Sequence, residues 1–598
     1  MTAQPRYSHG AERLTDGRVR FRLWAPGATD VLLHVEGDAV PMQKEDGGWF
    51  EAWRDCPAGT RYCFEPAGVG RVPDPASRQQ EDDVDGCSVV VDHAGYAWVN
   101  EGWRGRPWSE TVLYEAHPGL MGGFEGLRAR LPELADLGIT ALELMPIADF
   151  PGPRNWGYDG VFPYAPDSAY GTPDALKALV DAAHGLGIQV FLDVVYNHFG
   201  PVGNRLASYA PGFFRSDVDT PWGEAIDFRR SAVRTFFAEN ALYWLREYRF
   251  DGLRFDAVHA IVDKEDWLGE LAVWLRGALP ADRTVHLVLE NDDNTASLLR
   301  HGYDAQWNDD AHHVVHHLLT GETRGYYTAY ARRPTEKLAR ALAQGFVYQG
   351  EPSPAHGNRP RGESSAMLSP TSFVFFLQNH DQVGNRAHGE RLAALCRDKP
   401  GALEAAVALQ LLSPFIPLIF MGEEQGADTP FLYFTSFPDP EFAALVREGR
   451  RAEFAGFHEA DDREIPDPNA QETWEASRLQ TVPGDAANTW RDRYRTLLTL
   501  RREHLMPWLK GTTCESVMVL AEGCLIARWV LGNGCRLALY CNLSGERVNV
   551  PAGLQDPDET LIHESAKGGG ASLLAGTMPA YCTVATIRHA GETEEERA

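Results

Sequence analysis

Arg254 and Asp256 stand two residues apart in the apolar stretch from Phe250 to His259. That stretch reads as a buried strand ending in a carboxylate. Side chains two apart on a strand share a face, so the pair points the same way. A guanidinium beside a carboxylate lowers its pKa and holds it ionised and oriented. A nucleophile needs that, and a structural ion pair uses the same two residues. Two further acids stand in similar settings, Glu290 at the end of the run 285–290 and Asp381 after Gln378, Asn379 and His380. Asp193, Asn197 and His198 lie at and beyond the end of another apolar run, 189–195. Unpaired carboxylates are costly to bury. Three of them at the ends of apolar strands therefore point to a reacting site more than to separate ion pairs.

The elements that must position these residues follow from periodicity. Apolar runs at 111–117, 141–147, 189–195, 251–258, 285–290, 304–308, 371–378 and 417–421 read as eight strands separated by helical segments. One such helix carries Leu127, Leu131, Leu134 and Leu137 on a stripe, with Gly138 at its end. Another has Thr172 as N-cap and Pro173 at its first position, with Leu176, Leu179, Val180 and Ala183 as its apolar face and Gly187 as its stop. Eight strands alternating with helices predict a parallel (β/α)8 TIM barrel, whose chemistry lies at the C-terminal strand ends. Residues 1–105, with short alternating strands and turn signals, predict an N-terminal β-sandwich. Residues 106–504 make the barrel, and residues 505–598 predict a C-terminal β-sandwich with a disordered acidic tail from Gly591. Two long loops, 149–170 and 199–228, fall where a substrate site would be shaped.

Composition narrows the partners. A formal charge of −28 argues against nucleic acid, which needs a concentrated positive field. Sixteen Trp and twenty Tyr suit a neutral polar ligand with stacking faces, such as a sugar. Nine Cys without a paired motif read as free thiols, and no signal peptide or membrane span is visible, so a cytoplasmic location is expected.

Neighbouring strands lie about 4.8 Å apart, so acids at equal heights on adjacent strands bring their carboxyls to roughly 5 Å, the spacing of a retaining glycosidase. Asp256 with its arginine suits the nucleophile. Glu290, followed by Asp292 and Asp293 rather than a cation, could keep a raised pKa and donate a proton. Asp381 with His380 suits hydrogen bonding to sugar hydroxyls, and Tyr158 offers a ring face at the cleavage point.

Four ordered segments, Asp193–His198, Gly252–Asp256, Leu289–Asp292 and Gln378–Asp381, resemble the motifs of the α-amylase family, glycoside hydrolase family 13. Further stretches, among them 155–160, 256–261, 290–294, 382–386, 448–454 and 465–468, resemble its trehalose-releasing hydrolases, and the segment 21–26 resembles their N-terminal, immunoglobulin-like (E-set) sandwich. The resemblance implies hydrolysis of the α-1,4 bond next to a terminal trehalose of a maltooligosyltrehalose, with a maltooligosyltrehalose synthase as functional partner. It implies Asp256 as nucleophile, Glu290 as acid/base and Asp381 as transition-state stabiliser. Tyr158, Asp193, His198, Arg254 and His380 would line the subsite of the distorted sugar. The stretch 256–261 adds His259, and Trp156, Asn385 and Arg386 are candidates on the leaving-group side.

No cofactor or metal is expected. His312, His313, His316 and His317 have helical i, i+4 spacing, but no Glu-x-x-His pattern or acidic third ligand is evident. Asn197 matches a position that binds calcium in some relatives, but a carboxylate-rich second loop to complete such a site is not evident. Glu423 and Glu424 read as rim charge. The alternatives are a 1,4-α-glucan branching enzyme, a debranching glucanohydrolase, and a catalytically silent glucan-binding protein on the same fold.

Overall fold

The computed structural model describes residues 6–590 apart from 455–462, 481 and 483. The expected acidic tail at 591–598 lies outside the described residues. Eight parallel strands close into a barrel: β1 (Leu113–Ala116), β2 (Ala141–Leu144), β3 (Gln189–Val194), β4 (Gly252–Phe255), β5 (His286–Leu289), β6 (Ala305–Trp307), β7 (Phe373–Phe376) and β8 (Ile416–Phe420). Each lies inside or within a residue of its expected run. At the C-terminal end of β4 the ladder stops where the backbone serves the site, as Ala257 N–H turns to the Glu290 carboxylate.

The helices α1 (Gly123–Leu137) and α2 (Pro173–Gly185) form for the expected local reasons. The four leucines of the α1 stripe are buried, and Gly138 closes that helix in the left-handed conformation. Thr172 accepts the Ala175 N–H at 3.2 Å, a cap that stabilises α2 by about 1 kcal/mol. Next come α3 (Ser231–Glu247) before β4 and α4 (Lys264–Ala278) before β5, then α5 (Asp309–Thr320) after β6 and α6 (Pro400–Leu412) before β8.

The barrel interior is filled in layers. Leu113, Ala141, Phe191, Val288, Ala305, Val374 and Leu418 form a closed apolar plug together with Trp307. Gly252 is required by this packing, because a Cβ there would lie 2.1 Å from the Phe191 ring. Above the plug the Arg254 guanidinium sits 4.2 Å from the centre of the Trp307 ring. Apolar filler therefore gives way to charge at the C-terminal end of the barrel.

Before the barrel, two four-stranded antiparallel sheets form the N-terminal sandwich, one including Arg18–Trp24 and Trp49–Asp55, the other Val31–Val35 and Arg61–Pro66. After it, a five-stranded antiparallel sheet is built on Thr513–Ala521, Cys524–Val530, Arg536–Asn542, Thr560–Glu564 and Cys582–Arg588. The nine cysteines are free. Among the described residues no helix is long and apolar enough to cross a membrane.

Glu423 and Glu424 correct one expectation. They are buried, not rim charge. Glu423 accepts from Phe420 N–H at 3.0 Å and Tyr494 hydroxyl at 3.1 Å, and burial pushes its pKa up to about 8. Their position after an apolar strand resembled a loop, but the chain turns back under α7 (Gly484–Leu500), which carries Tyr494.

Candidate active site

Register sets the heights of the charged groups. In the β3–β4 pairing Asp193 lies opposite Arg254, and in the β4–β5 pairing Phe255 lies opposite Leu289. Asp256 and Glu290 therefore each stand one residue past a matched pair on adjacent strands, where strand spacing holds the backbones about 5 Å apart. The buried guanidinium of Arg254 joins the group. Its Nη1 donates to Asp193 at 2.5 Å and to Asp256 at 2.8 Å, and its Nη2 lies 3.9 Å from Glu290.

Ala257, between Asp256 and the next turn, has a φ of 41°, uncommon for a residue with a Cβ. That turn aims its N–H at Glu290 Oε2, 2.5 Å away. Strained backbone at this point is consistent with a positioned carboxylate. Oε2 is thus occupied as an acceptor, so when Glu290 is protonated the proton belongs on Oε1.

Protonation differs from the sequence expectation for Asp256. Burial outweighs the guanidinium, and the nearby acids Asp193, Glu290 and Asp381 add to it, raising Asp256 to about 8. Glu290 is raised to about 7 by burial, against Arg254 and with help from Asp381. The two acids therefore share protons as a system near neutral pH. The direct 2.8 Å contact from Arg254 favours the anion on Asp256, and the more distant Glu290 keeps the proton. Asp292 and Asp293 do not supply the effect expected of them. Asp292 pairs with Arg361 at 2.9 Å and His356 at 2.7 Å, and Asp293 pairs with Lys264 at 2.6 Å.

Across the rim, His380 is held between two acids. Its Nδ1 donates to Glu115 at 2.5 Å, while its Nε2 lies 2.7 Å from the Tyr158 hydroxyl and 3.3 Å from Asp381. Burial opposes charge on the ring, but Asp381 and Glu115 outweigh it and hold the pKa well above the ordinary value. The imidazolium in turn draws Asp381 down to about 2 in spite of burial. Tyr158 donates to Asp193 at 2.6 Å and stacks on His380 with ring centres 5.1 Å apart. It is brought there by a turn at Gly157, where φ is 103° and a Cβ would lie 2.1 Å from the Pro146 carbonyl oxygen.

The remaining expected residues border the same cleft, a cavity of about 1170 Å³ that is large for one small ligand and suited to a chain of sugars. His198 donates through Nε2 to the Tyr158 carbonyl at 2.9 Å, and burial lowers its pKa to about 4. His259 accepts the Asp292 N–H and lies 4.0 Å from Glu290. Trp156 stacks on Phe431 and donates to the Leu432 carbonyl. Asn385 donates to Asp381 at 3.2 Å. Arg386 grips both oxygens of Glu322 at 2.8 Å. His316, from the histidine cluster, pairs with Glu322 at 3.0 Å and stacks on Tyr327.

Sequence reasoning missed Glu115, Trp307, Asp309 and the aromatic walls Trp222 and Tyr326. For Glu115 a signal existed, a carboxylate in the middle of an otherwise apolar barrel strand. Trp222, at a hairpin turn in the second long loop, stacks on His198 with ring centres 4.7 Å apart. That hairpin had no periodic pattern strong enough to reveal it.

Glu115 supplies a test. In Glu115→Gln one anion is removed from His380, so the imidazolium pKa falls. The His380 ring proton is then expected to titrate at a lower pH than in the unsubstituted protein by NMR, and kcat to drop about tenfold, the loss of roughly 1.4 kcal/mol of charged hydrogen bonding. A ring that stays charged throughout, with normal kcat, would remove Glu115 from this role.

The chain matches the family model described as alpha amylase, catalytic domain, over residues 86–207, and that of a domain of unknown function, DUF3459, over residues 514–581. It is 39% identical over 593 residues to the malto-oligosyltrehalose trehalohydrolase of Deinococcus radiodurans, covering 96% of this chain and 97% of that protein. It is 38% identical to that of Saccharolobus solfataricus, covering 88% and 91%. A crystal structure from Salmonella typhimurium assigned to the alpha amylases superposes with a TM-score of 0.91 at 42% identity, covering 98% of this chain and all of that one. A pullulanase from an Anoxybacillus species shares the fold alone, with a TM-score of 0.70 at 18% identity.

Proposed function

The chain belongs to the malto-oligosyltrehalose trehalohydrolase family, and from that premise we propose how its cleft works. It is a glycoside hydrolase that cleaves the α-1,4 bond next to the terminal trehalose of a malto-oligosyltrehalose and releases trehalose. In the proposed retaining mechanism the proton on Glu290 Oε1 passes to the glycosidic oxygen while Asp256 attacks the anomeric carbon. The C–O bond breaks, trehalose leaves, and the remaining glucan is held as an ester on Asp256. Glu290, now a carboxylate, takes a proton from water, and the resulting hydroxide displaces Asp256 and frees the shortened oligosaccharide.

The observation that carries these roles is the shared guanidinium: Arg254 touches Asp256 directly and stands farther from Glu290. One acid is thereby favoured as anion and its neighbour as proton donor. Asp381 and the charged His380 would hold the hydroxyls of the sugar as positive charge develops, with Tyr158 beneath its ring. Trp156, Asn385 and Arg386 would face the leaving trehalose. A malto-oligosyltrehalose synthase is the proposed supplier of substrate, and free thiols fit a reducing compartment such as the cytoplasm.

The test is product analysis with maltotriosyl-trehalose, maltopentaose and amylopectin. Free trehalose from the first is expected, at a kcat/KM at least about tenfold above cleavage of maltopentaose. New α-1,6 branches in amylopectin, or equal cleavage of the two linear substrates, would overturn the assignment.

A further inference from the structure

A second cavity, of about 630 Å³, lies at the opposite end of the barrel from the carboxylates. Its lining includes Trp103, Arg104, Arg246, Arg249, Asp282 and Arg283. It forms where the segment entering the barrel meets the C-terminal ends of α3 and α4, next to Asp251, the residue before β4. In a chain with a formal charge of −28, four guanidiniums at one cavity run against the composition.

Their charge is only partly cancelled. Asp282 pairs with Arg104 at 2.8 Å and Asp251 with Arg283 at 2.9 Å. Asp251 is shared further with His184 at 2.9 Å and the Trp103 indole at 2.7 Å. The other contacts are to backbone carbonyls, which orient a guanidinium without neutralising it. Arg104 donates to the carbonyls of Glu101 and Trp103, and Arg246 to that of Ala278. Arg283 donates to those of Arg249 and Phe250. Arg249 reaches the carbonyls of Asn100, Glu101 and Trp103 only at 3.3 to 3.4 Å, and lies against the Trp98 ring. Charge on Arg249 is disfavoured by burial and by Arg283 and Arg104, against Asp181 and Asp251.

Arg249 also has a φ of 58°, two residues beyond α3, where glycine is the usual occupant. An arginine occupies this strained position, with its carbonyl gripped by Arg283 at 2.7 Å. Guanidinium forks match the several oxygens of a phosphate, whereas a single carboxylate would engage one fork. The volume is in the range of small-molecule sites and exceeds what a bare ion needs.

We propose that this cavity binds a small phosphate ester of about the size of a sugar. Its shared chemistry is the phosphate dianion, whether carried by an ester or free in solution, and the two sources can be told apart. Isothermal titration of the full chain would use a hexose monophosphate, inorganic phosphate, and sodium chloride at matched ionic strength. A saturable one-to-one heat with the hexose monophosphate is expected, with weaker binding of inorganic phosphate and none with chloride. Equal affinity for ester and inorganic phosphate would support the site and name free phosphate as its ligand. Arg249→Gln is expected to weaken binding at least tenfold while trehalose release stays at the level of the unsubstituted protein. Should Arg249→Gln fail to fold by circular dichroism, Arg104→Gln, at a half-exposed side chain, carries the same expectation. No saturable heat with either phosphate, at a dissociation constant stronger than about 1 mM, or unchanged affinity in the folded variants, overturns the proposal.

Discussion

Asp256→Asn is expected to lower kcat by at least ~10³, about 4 kcal/mol of barrier, with the protein still folded. The amide has nearly the shape of the carboxylate but cannot form the glycosyl ester, so both chemical steps lose their partner. Folding should tolerate the change because Asp256 is one of four acids, with Asp193, Glu290 and Asp381, gathered about one guanidinium. A neutral amide is cheaper to bury than a carboxylate crowded by others, and Arg254 keeps its 2.5 Å bond to Asp193. The checks are steady-state kinetics on maltotriosyl-trehalose beside a melting curve. Near-normal turnover would falsify the nucleophile assignment, and loss of the folded state would show that the pair is structural first.

For Glu290→Gln the expected loss of kcat is also at least ~10³, but with a different signature. Gln can still accept the Ala257 N–H through its oxygen, so the strained turn is retained. What it cannot do is give up a proton. A substrate with a good leaving group, such as an aryl glucoside, needs no protonation to depart. Its first step should therefore survive Glu290→Gln far better than it survives Asp256→Asn. The pH profile separates the roles again. Glu290 is raised to about 7 and, as the proposed acid, would act in its protonated form, so kcat/KM of the unsubstituted enzyme is expected to fall as pH rises through that value and to fall again on the acid side, where the proposed nucleophile Asp256, itself raised by burial, takes up its proton. In Glu290→Gln that basic limb should vanish from the residual activity. A basic limb unchanged by the substitution would assign the titration to another group.

The trehalose-forming specificity can be placed on the same framework. Asp256, Glu290 and Asp381 stand at the strand ends, whereas Trp156, Trp222, Tyr326 and Arg386 come from loops that border a cavity of about 1170 Å³. Arg386 is paired with Glu322, so any polar contact it makes to a sugar must compete with, or extend, a charged bidentate bond.

Sequence alone determined the strand count, the barrel and the acids at its rim. Strand periodicity is local, and a carboxylate closing an apolar run is visible without a neighbour. The α1 stripe and the Thr172 cap were legible for the same reason. What only the tertiary structure decided was which charge meets which. Asp292 and Asp293 follow Glu290 in the chain, yet they turn to Arg361, His356 and Lys264, and the acids that act on Glu290 arrive from other strands. Glu115 reaches His380 across 265 residues, and Ala257 presents its N–H to Glu290 only because its backbone takes a left-handed turn. Arg254 and Asp256 stand two residues apart in the chain and meet on one strand face. Burial, set by the closed barrel and not by the order of residues, turned the expected lowering of the Asp256 pKa into a rise. Proton affinity depends on solvent and on the charges within a few ångströms, and a sequence specifies those only once it has folded.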